Sequence, residues 1–132
     1  MTLEEAKEFF SKDIYATRCT GIEILEVGDH YAKCALDLDE RHLNAAGQIM
    51  GGVAYTLADF VFAVATNSGK DVLTVTTVST ISYMNICKGK RMIGESELLK
   101  DGKRNCFYRI NITDENGTLL AVVNTSGAHL TK

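Results

Sequence analysis

The chain has 132 residues, 45% of them hydrophobic and 23% charged, as expected for a globular protein with one core, and we predict a single domain over 1–132. Its 14 basic and 17 acidic residues give a net charge of −3, which argues against a nucleic-acid-binding protein because such proteins need a concentrated basic surface. No uncharged run is apolar enough to span a bilayer and the acidic N-terminus does not resemble a signal peptide, so we expect a cytoplasmic protein that does not enter a membrane.

The first 47 residues predict a short helix, a β-hairpin and a loop. Thr2 and Glu5 form a capping-box pattern, and the apolar residues after them recur at helical spacing, which predicts a helix over about 3–17. From Gly21 the apolar period changes to two, so two strands are expected on either side of a turn at 28–29. A loop follows around residues 44–47.

The segment from about residue 51 to 67 predicts the central helix. It is apolar on nearly every side, and such a helix is expected to be buried all round rather than laid on a surface.

The remainder of the chain predicts a series of antiparallel strands. Runs at 72–86, 91–99, 104–114 and 118–129 are separated by turn residues, including two Asx-Gly pairs that suit two-residue hairpins. We interpret the order as helix, hairpin, buried helix and antiparallel meander. A sheet wrapped around the central helix buries the apolar faces of both, and this α+β architecture is the hotdog fold.

The cysteines and histidines do not suggest a metal or redox centre. The four cysteines form no Cys-x-x-Cys pair, and the three histidines show no metal-ligand spacing. No phosphate-binding Gly-Lys-Ser/Thr loop and no Gly-x-Ser-x-Gly elbow is present. We therefore expect no metal and no cofactor.

Asp59 is the only formally charged side chain between His42 and Gly69, and it lies in the middle of the apolar helix. A carboxylate in such a setting is expected to be hydrogen-bonded, raised in pKa or placed at a cleft. One interpretation is a catalytic acid or base. The other is a structural residue on a solvent-facing strip that accepts hydrogen bonds from Thr or Ser.

Gly51 and Gly52 begin the same helix and leave its first backbone N–H groups unshielded, which suits an oxyanion hole, although the glycines also permit a tight turn. Eight residues at 1.5 Å per residue separate Gly51 from Asp59 by about 12 Å. A reacting carbonyl must lie about 3 Å from both the attacking group and the oxyanion donor. If both groups are catalytic, two antiparallel copies of the helix must share two sites across a dimer.

The stretch 42–63, from His42 through Gly51-Gly52 and Leu57-Ala-Asp59, resembles the signature of hotdog-fold acyl-CoA thioesterases of the phenylacetate-degradation type. The resemblance implies hydrolysis of an acyl-CoA, with an aryl or medium-chain acyl group, to CoA and carboxylate by a homo-oligomer, at least a dimer and expected to be a tetramer. It implies Asp59 as general base or nucleophile, and the Gly51 amide of the opposite subunit as oxyanion donor.

The resemblance also implies supporting residues. Asn44 is expected to position water or substrate, and Thr76 to lie near the catalytic acid, with Thr77 and Ser79 as alternatives because the strand register is open by two residues. Met50 and Gly52 are expected to contact the substrate.

The chain departs from the family pattern at two positions. Met50 replaces the usual His before Gly-Gly, and the usual Pro after the strand tyrosine is missing after Tyr83. Because of the first departure, the second hypothesis is a protein module that binds an acyl thioester without hydrolysing it. Hydratase or dehydratase chemistry is the third hypothesis, placed last because it generally needs a His near the acid and the central helix contains none.

A basic segment completes the set of candidate residues. Residues 88–109 contain seven basic and three acidic side chains. Lysines at hairpin ends usually only protect sheet edges, but a cationic rim also attracts the phosphates of the CoA nucleotide. We therefore name Lys88, Lys90 and Arg91 as candidate substrate-binding residues.

Overall fold

A computed structural model of the protein describes residues 1–131. The chain forms two α-helices, six strands, a π-helical turn (Tyr15–Thr20) and a short 3-10 turn (Glu40–His42). The helices and strands are α1 (Leu3–Phe10), β1 (Glu23–Gly28), β2 (Tyr31–Asp37), α2 (Gly51–Asn67), β3 (Thr74–Tyr83), β4 (Arg91–Asp101), β5 (Asn105–Asp114) and β6 (Leu119–His129). No helix in this part of the chain is both long and apolar enough to cross a bilayer.

The six strands form one antiparallel sheet in the order β1-β2-β4-β5-β6-β3, and α2 packs against its concave face. The expected antiparallel sheet around a central helix is confirmed. The expected simple meander is wrong for β3, which pairs with β6 and leaves β2 beside β4. The alternation of apolar residues predicts where strands lie but not which strands pair, because pairing depends on contacts between segments that are distant in the chain.

The first helix, α1, is shorter than the helix over about 3–17 that the apolar spacing predicted. It ends at Phe10, and after a turn the chain continues as the π-helical turn, which Gly21 terminates in the left-handed conformation at φ 89°. The predicted capping box is present, since Thr2 accepts from the Glu5 N–H and the Glu5 carboxylate accepts from the Thr2 N–H. The π-helical turn places residues 15–20 beside α2, next to the candidate site.

One chain does not bury α2 all round as expected. Ten of its residues, from Val53 to Thr66, are buried in the core. Gly52, Tyr55 and Asp59 are exposed, and Thr56 and Ala63 are half-buried. At spacings of three and four these five residues form one stripe along the helix, which we call the open stripe. The sheet curves around the other sides of the helix and leaves this stripe uncovered.

Candidate functional site

Asp59 lies in the middle of the open stripe, at a shallow pocket of about 300 Å³. One wall of this pocket is the segment 13–16, which leads into the π-helical turn, and its floor is α2. Asp13 and Tyr15 line it from the wall, and Thr56 and Asp59 from the floor. The central helix therefore presents its single carboxylate to a pocket and not to a packed interior.

The surroundings of Asp59 favour its protonated form. Loss of water contact raises the pKa of its carboxyl above the ordinary range, and the negative charge of Asp13 raises it further. The Thr76 hydroxyl acts in the opposite direction and lowers the pKa, because it favours the ionised form. A carboxyl group whose pKa lies nearer to neutral pH is better suited to take and return a proton.

Thr76 is the member of the three candidates on β3 that faces Asp59. The other two candidates are engaged with β6: the Thr77 hydroxyl donates to the Ser126 carbonyl at 3.1 Å, and the Ser79 hydroxyl lies 3.0 Å from that of Thr125. A bulge between Thr76 and Val78 shifts the pairing of β3 with β6. Because of this bulge, simple alternation along the sequence does not predict which residues of β3 face α2.

The start of α2 has no side-chain cap. Met50 is the N-cap residue and supplies no hydrogen bond, and within residues 1–131 the N–H groups of Gly51 and Gly52 have no acceptor. Both amides, with the positive end of the helix dipole, are therefore available to an oxygen atom that develops negative charge.

Asn44 shapes the loop that leads to α2. Its side-chain oxygen accepts from the N–H groups of Ala46 and Gln48, at 2.9 and 3.1 Å. The loop then returns so that the Met50 N–H donates to the His42 carbonyl at 2.8 Å. The contacts of Asn44 in this chain are therefore those of a loop-forming residue, and its role toward water or substrate stays a prediction.

A pocket of about 390 Å³ opens beside Gly51 and is lined mainly by apolar side chains. Met50, which is 57% exposed, forms part of its rim together with Tyr83. Three of the four methionines of the protein line it: Met50, Met84 and Met92. Methionine is flexible and polarizable, so these walls can adapt to apolar groups of different shape.

Gly51 and Asp59 lie at different pockets of one chain, as the helical rise requires. The chain also leaves two adjacent surfaces uncovered. One is the open stripe, and the other is β3, which forms an edge of the sheet and carries Val78 with 61% of its surface exposed. A long edge strand with exposed apolar residues is suited to pairing with a second chain.

The three candidate cations differ in their availability. Arg91 donates to Asp37 and to Glu23, each at 2.6 Å, so its guanidinium is already paired. Lys88 and Lys90 are exposed, and Lys88 directly follows Cys87 at the rim of the methionine-lined pocket. Lys88 and Lys90 therefore remain candidates for phosphate groups, and Arg91 has a structural contact instead.

The histidine closest to the site in sequence has a structural role. His42 is buried, its Nδ1 accepts from the Asp39 N–H at 3.0 Å, and its Nε2 donates to the Thr20 carbonyl at 2.8 Å. It joins the loop before α2 to the π-helical turn. Within residues 1–131 no three His, Cys, Asp or Glu side chains are grouped to hold a metal ion.

For two residues near the site the sequence predicted no role. Asp13 shares the pocket of Asp59 although 46 positions separate them, and no local pattern signals that contact. The Tyr83 hydroxyl donates to the Gly51 carbonyl at 2.7 Å. Tyr83 ends a strand rich in Thr and Ser, and only its position in the fold places it at the start of α2.

Comparisons with known proteins place the chain among thioesterases. The sequence profile of the thioesterase superfamily matches residues 46–121, which include both Gly51 and Asp59. A protein of Archaeoglobus fulgidus, provisionally named an esterase, is 30% identical over 122 residues, or 91% of this chain and 78% of that protein. Acyl-coenzyme A thioesterase PaaI of Escherichia coli is 24% identical over 120 residues, or 90% and 84% of the two chains.

Solved structures show the same fold. The E. coli PaaI protein of the phenylacetic acid degradation operon superposes with a TM-score of 0.84 over 98% of this chain and 97% of its own, at 20% identity. A hypothetical thioesterase of Streptococcus pneumoniae, solved with coenzyme A, superposes with a TM-score of 0.82 over 93% and 98%, at 19% identity.

Proposed function

Because the chain belongs to the thioesterase superfamily and has the hotdog fold of its phenylacetate-degradation type, we propose that this thioesterase hydrolyses acyl-CoA to free CoA and a carboxylate. The observation that carries the proposal is Asp59, the single charged residue of α2, exposed at a pocket with its pKa raised and Thr76 facing it. The reaction as proposed needs no metal and no organic cofactor.

The proposed chemistry has Asp59 as general base. Its carboxylate takes a proton from water while the water oxygen bonds to the thioester carbon, and the carbonyl oxygen becomes an oxyanion that accepts from the Gly51 N–H. Collapse of the tetrahedral intermediate breaks the carbon–sulfur bond, and the leaving thiolate takes the proton from Asp59. Attack by Asp59 itself, through an acid anhydride that water then hydrolyses, is the alternative for the same residue.

The site as proposed combines two subunits. Asp59 of one subunit would face Gly51 of its partner, so that a dimer contains two sites. The open stripe and the exposed edge of β3 support this arrangement, because one partner could cover both. A tetramer of such dimers remains part of the proposal.

The acyl group is proposed to occupy the methionine-lined pocket beside Gly51. Its walls favour an apolar aryl or medium-chain group over a polar one. The CoA nucleotide would then lie toward the exposed Lys88 and Lys90, whose charges attract phosphate groups.

A panel of acyl-CoA substrates tests the proposal. Phenylacetyl-, benzoyl-, hexanoyl-, decanoyl- and succinyl-CoA are each incubated with the protein, and release of free thiol is measured. We expect turnover of the apolar substrates and little turnover of succinyl-CoA. The second candidate, a module that only binds acyl thioesters, is favoured by Met50 and predicts calorimetric binding of the apolar substrates without thiol release.

The pH dependence of hydrolysis is expected to shift when either neighbour of Asp59, Asp13 or Thr76, is changed. Activity requires the ionised base, so kcat/KM increases as the pH rises through the pKa of Asp59. Asp13→Asn removes a negative charge, lowers that pKa and moves the acid limb to lower pH. Thr76→Val removes the group that favours ionisation and moves the limb to higher pH. Shifts in the same direction, or none, in the kcat/KM profiles would contradict the assignment.

Met50→His restores the family pattern at the start of α2 and is expected to increase turnover of an aryl- or medium-chain acyl-CoA. Because Met50 is more than half exposed, the imidazole remains hydrated and the melting temperature is expected to change little. Met84→His, at another exposed methionine of the same pocket, is the control and should give no increase.

The alternative for Met50 is that it only fills space at the foot of the helix. If the imidazole were covered there without a hydrogen-bond partner, it would cost about 1–3 kcal/mol of stability with no gain in rate, whereas the exposure of Met50 favours the first interpretation. Turnover and melting temperature measured on the same variant separate the two interpretations, since a less stable protein without faster hydrolysis would contradict the first.

A further inference from the structure

Tyr83 makes a close contact with the first residue of α2. Its hydroxyl donates to the Gly51 carbonyl at 2.7 Å. A Cβ atom built on Gly51 would lie 2.8 Å from the Tyr83 Oη, closer than real Cβ atoms approach a neighbour, and a tight 3.0 Å from its Cζ. The phenol ring therefore occupies the space that a side chain at position 51 would need, which is a specific reason for glycine there.

This contact restrains a helix start that has no side-chain cap. Two glycines in succession have the greatest backbone freedom of any pair, and the N-cap residue Met50 supplies no side-chain hydrogen bond. Without another contact the first turn would be free to fray. The Tyr83 hydroxyl fixes the peptide group that joins Gly51 to Gly52, and its ring packs over Gly51.

The same strand contacts α2 at both candidate site residues, Asp59 in its middle and Gly51 at its start. Thr76 faces Asp59, and Tyr83, seven residues later on β3, holds Gly51. Partial loss of water contact, and after it Tyr55 on the open stripe, raise the pKa of Tyr83, so its hydroxyl is protonated and able to donate at neutral pH. β3 thus fixes the helix start relative to the carboxylate that the same strand contacts.

We propose that Tyr83 is a positioning residue: by fixing the Gly51–Gly52 peptide group it restrains the backbone of Gly51, and so the direction of the Gly51 N–H in the preceding peptide group, for oxyanion stabilisation. The inference rests on the proposed function, in which the Gly51 N–H donates a hydrogen bond to the developing oxyanion. Tyr83 acts through Gly51 and forms no bond to the reacting atoms.

Tyr83→Phe tests this role because it keeps the ring and removes only the hydroxyl. A small loss of alignment at a reacting centre has a large effect on rate, so kcat is expected to fall about tenfold while KM changes less than about twofold. Tyr31→Phe is the matched control, since it also loses a hydroxyl hydrogen bond, to Glu95 on the sheet, and should leave kcat unchanged. An unchanged kcat in Tyr83→Phe, or a change in KM alone, would overturn the proposal.

A double variant tests whether Tyr83 acts through Gly51. Gly51→Ala is expected to reduce kcat because the added Cβ displaces the phenol or the peptide. If the two residues serve one step, Gly51→Ala with Tyr83→Phe loses no more activity than Gly51→Ala alone. Losses that multiply would show that Tyr83 acts elsewhere and would overturn the inference.

Amide hydrogen exchange separates this inference from the proposed function. In Tyr83→Phe the amides of residues 53–55, in the first hydrogen-bonded turn of α2, are expected to exchange faster, whereas those of β5 do not change. Unchanged exchange at the helix start overturns the role of Tyr83 whether or not the protein hydrolyses any thioester. A wild-type protein that shows the Tyr83-dependent exchange but hydrolyses no acyl-CoA overturns the proposed function, and with it the catalytic purpose of the contact.

Discussion

Asp59→Asn is expected to reduce kcat for acyl-CoA hydrolysis by at least about a hundredfold, the loss typical of a removed general base. The amide has nearly the same shape as the carboxyl group but cannot accept the proton of the attacking water or attack the thioester. Thiol release from the best substrate of the panel measures the loss. Turnover equal to that of the wild type would remove Asp59 from the mechanism.

The matched control for this variant is Asp13→Asn, which changes a carboxylate of the same pocket to an amide but leaves the base in place. At a pH well above its acid limb Asp13→Asn should retain turnover near that of the wild type. The comparison separates loss of the base from loss of negative charge in the pocket.

Asp59→Asn is also expected to be at least as stable as the wild type at neutral pH. The folded state raises the pKa of Asp59, so the folded chain holds this proton more tightly than the unfolded chain. The stability associated with the protonated form is therefore lost as the pH rises through this range. Asparagine does not ionise, so the melting temperature should stay level or rise, as is common for residues kept for activity.

Mixing two inactive variants is expected to restore activity if the site combines two subunits. Asp59→Asn lacks the base, and Gly51→Pro lacks the amide donor. In a hybrid dimer one site contains both defects and the other contains neither. Random association of equal amounts should give about a quarter of wild-type activity, because half of the dimers are hybrids with one intact site each.

Two features of the start of α2 make Gly51→Pro suitable for the mixing experiment. Gly51 is the first helical residue, where proline is tolerated, and Met50 has the extended conformation that a following proline requires. The ring would still press on Tyr83, so folding of Gly51→Pro is checked by circular dichroism. Mixing Asp59→Asn with the double variant Asp59→Asn/Gly51→Pro is the control, because its hybrids contain no intact site. Hybrids that native mass spectrometry detects but that remain inactive would contradict a two-chain site.

The two uncovered surfaces give the mixing experiment its structural interpretation. A helix that is apolar on nearly every side but open along Gly52, Tyr55, Thr56, Asp59 and Ala63 is incomplete in one chain. A partner that covers this stripe would remove more water from Asp59, and we expect its pKa to rise further in the dimer. The pKa of the Asp59 carboxyl, followed by NMR of its carboxyl carbon, should therefore be higher in the dimer than in dissociated chains.

Much of the fold could be predicted because its signals are local. The bounds of α2 agree with the predicted 51–67, and the strands β4, β5 and β6 agree to within about two residues at each end, a normal variation between ways of defining element ends. Helical and strand periods and the Gly-Gly start are readable within short windows. The Asx-Gly pairs mark the turns, but the predicted two-residue hairpins are wrong, because four residues separate the paired Asp101 and Cys106 and three separate Asp114 from Thr118. The first helix was predicted too long because an apolar period continues past Phe10 into the π-helical turn.

The candidate site could be predicted only in part. Asp59 stands out because a charge in an apolar helix is costly unless it has a purpose, and the helical rise alone excludes Gly51 of the same chain as its partner. Thr76 could not be separated from its neighbours, since a bulge changes the register of β3. Arginine is a residue type that commonly binds phosphate, and only the contacts of Arg91 with Glu23 and Asp37 reveal its structural role.

The sequence by itself determined the elements, the central helix with one carboxylate, and the separation of that carboxylate from the helix start. These depend on residues close together in the chain, whose periodicity and spacing act through local geometry. The tertiary structure alone decided that β3 lies beside β6 at the sheet edge, that Asp13 shares the pocket of Asp59, and that Tyr83 holds Gly51. Each of these joins segments at least 32 positions apart, where the packing of the whole sheet around α2 selects the partners.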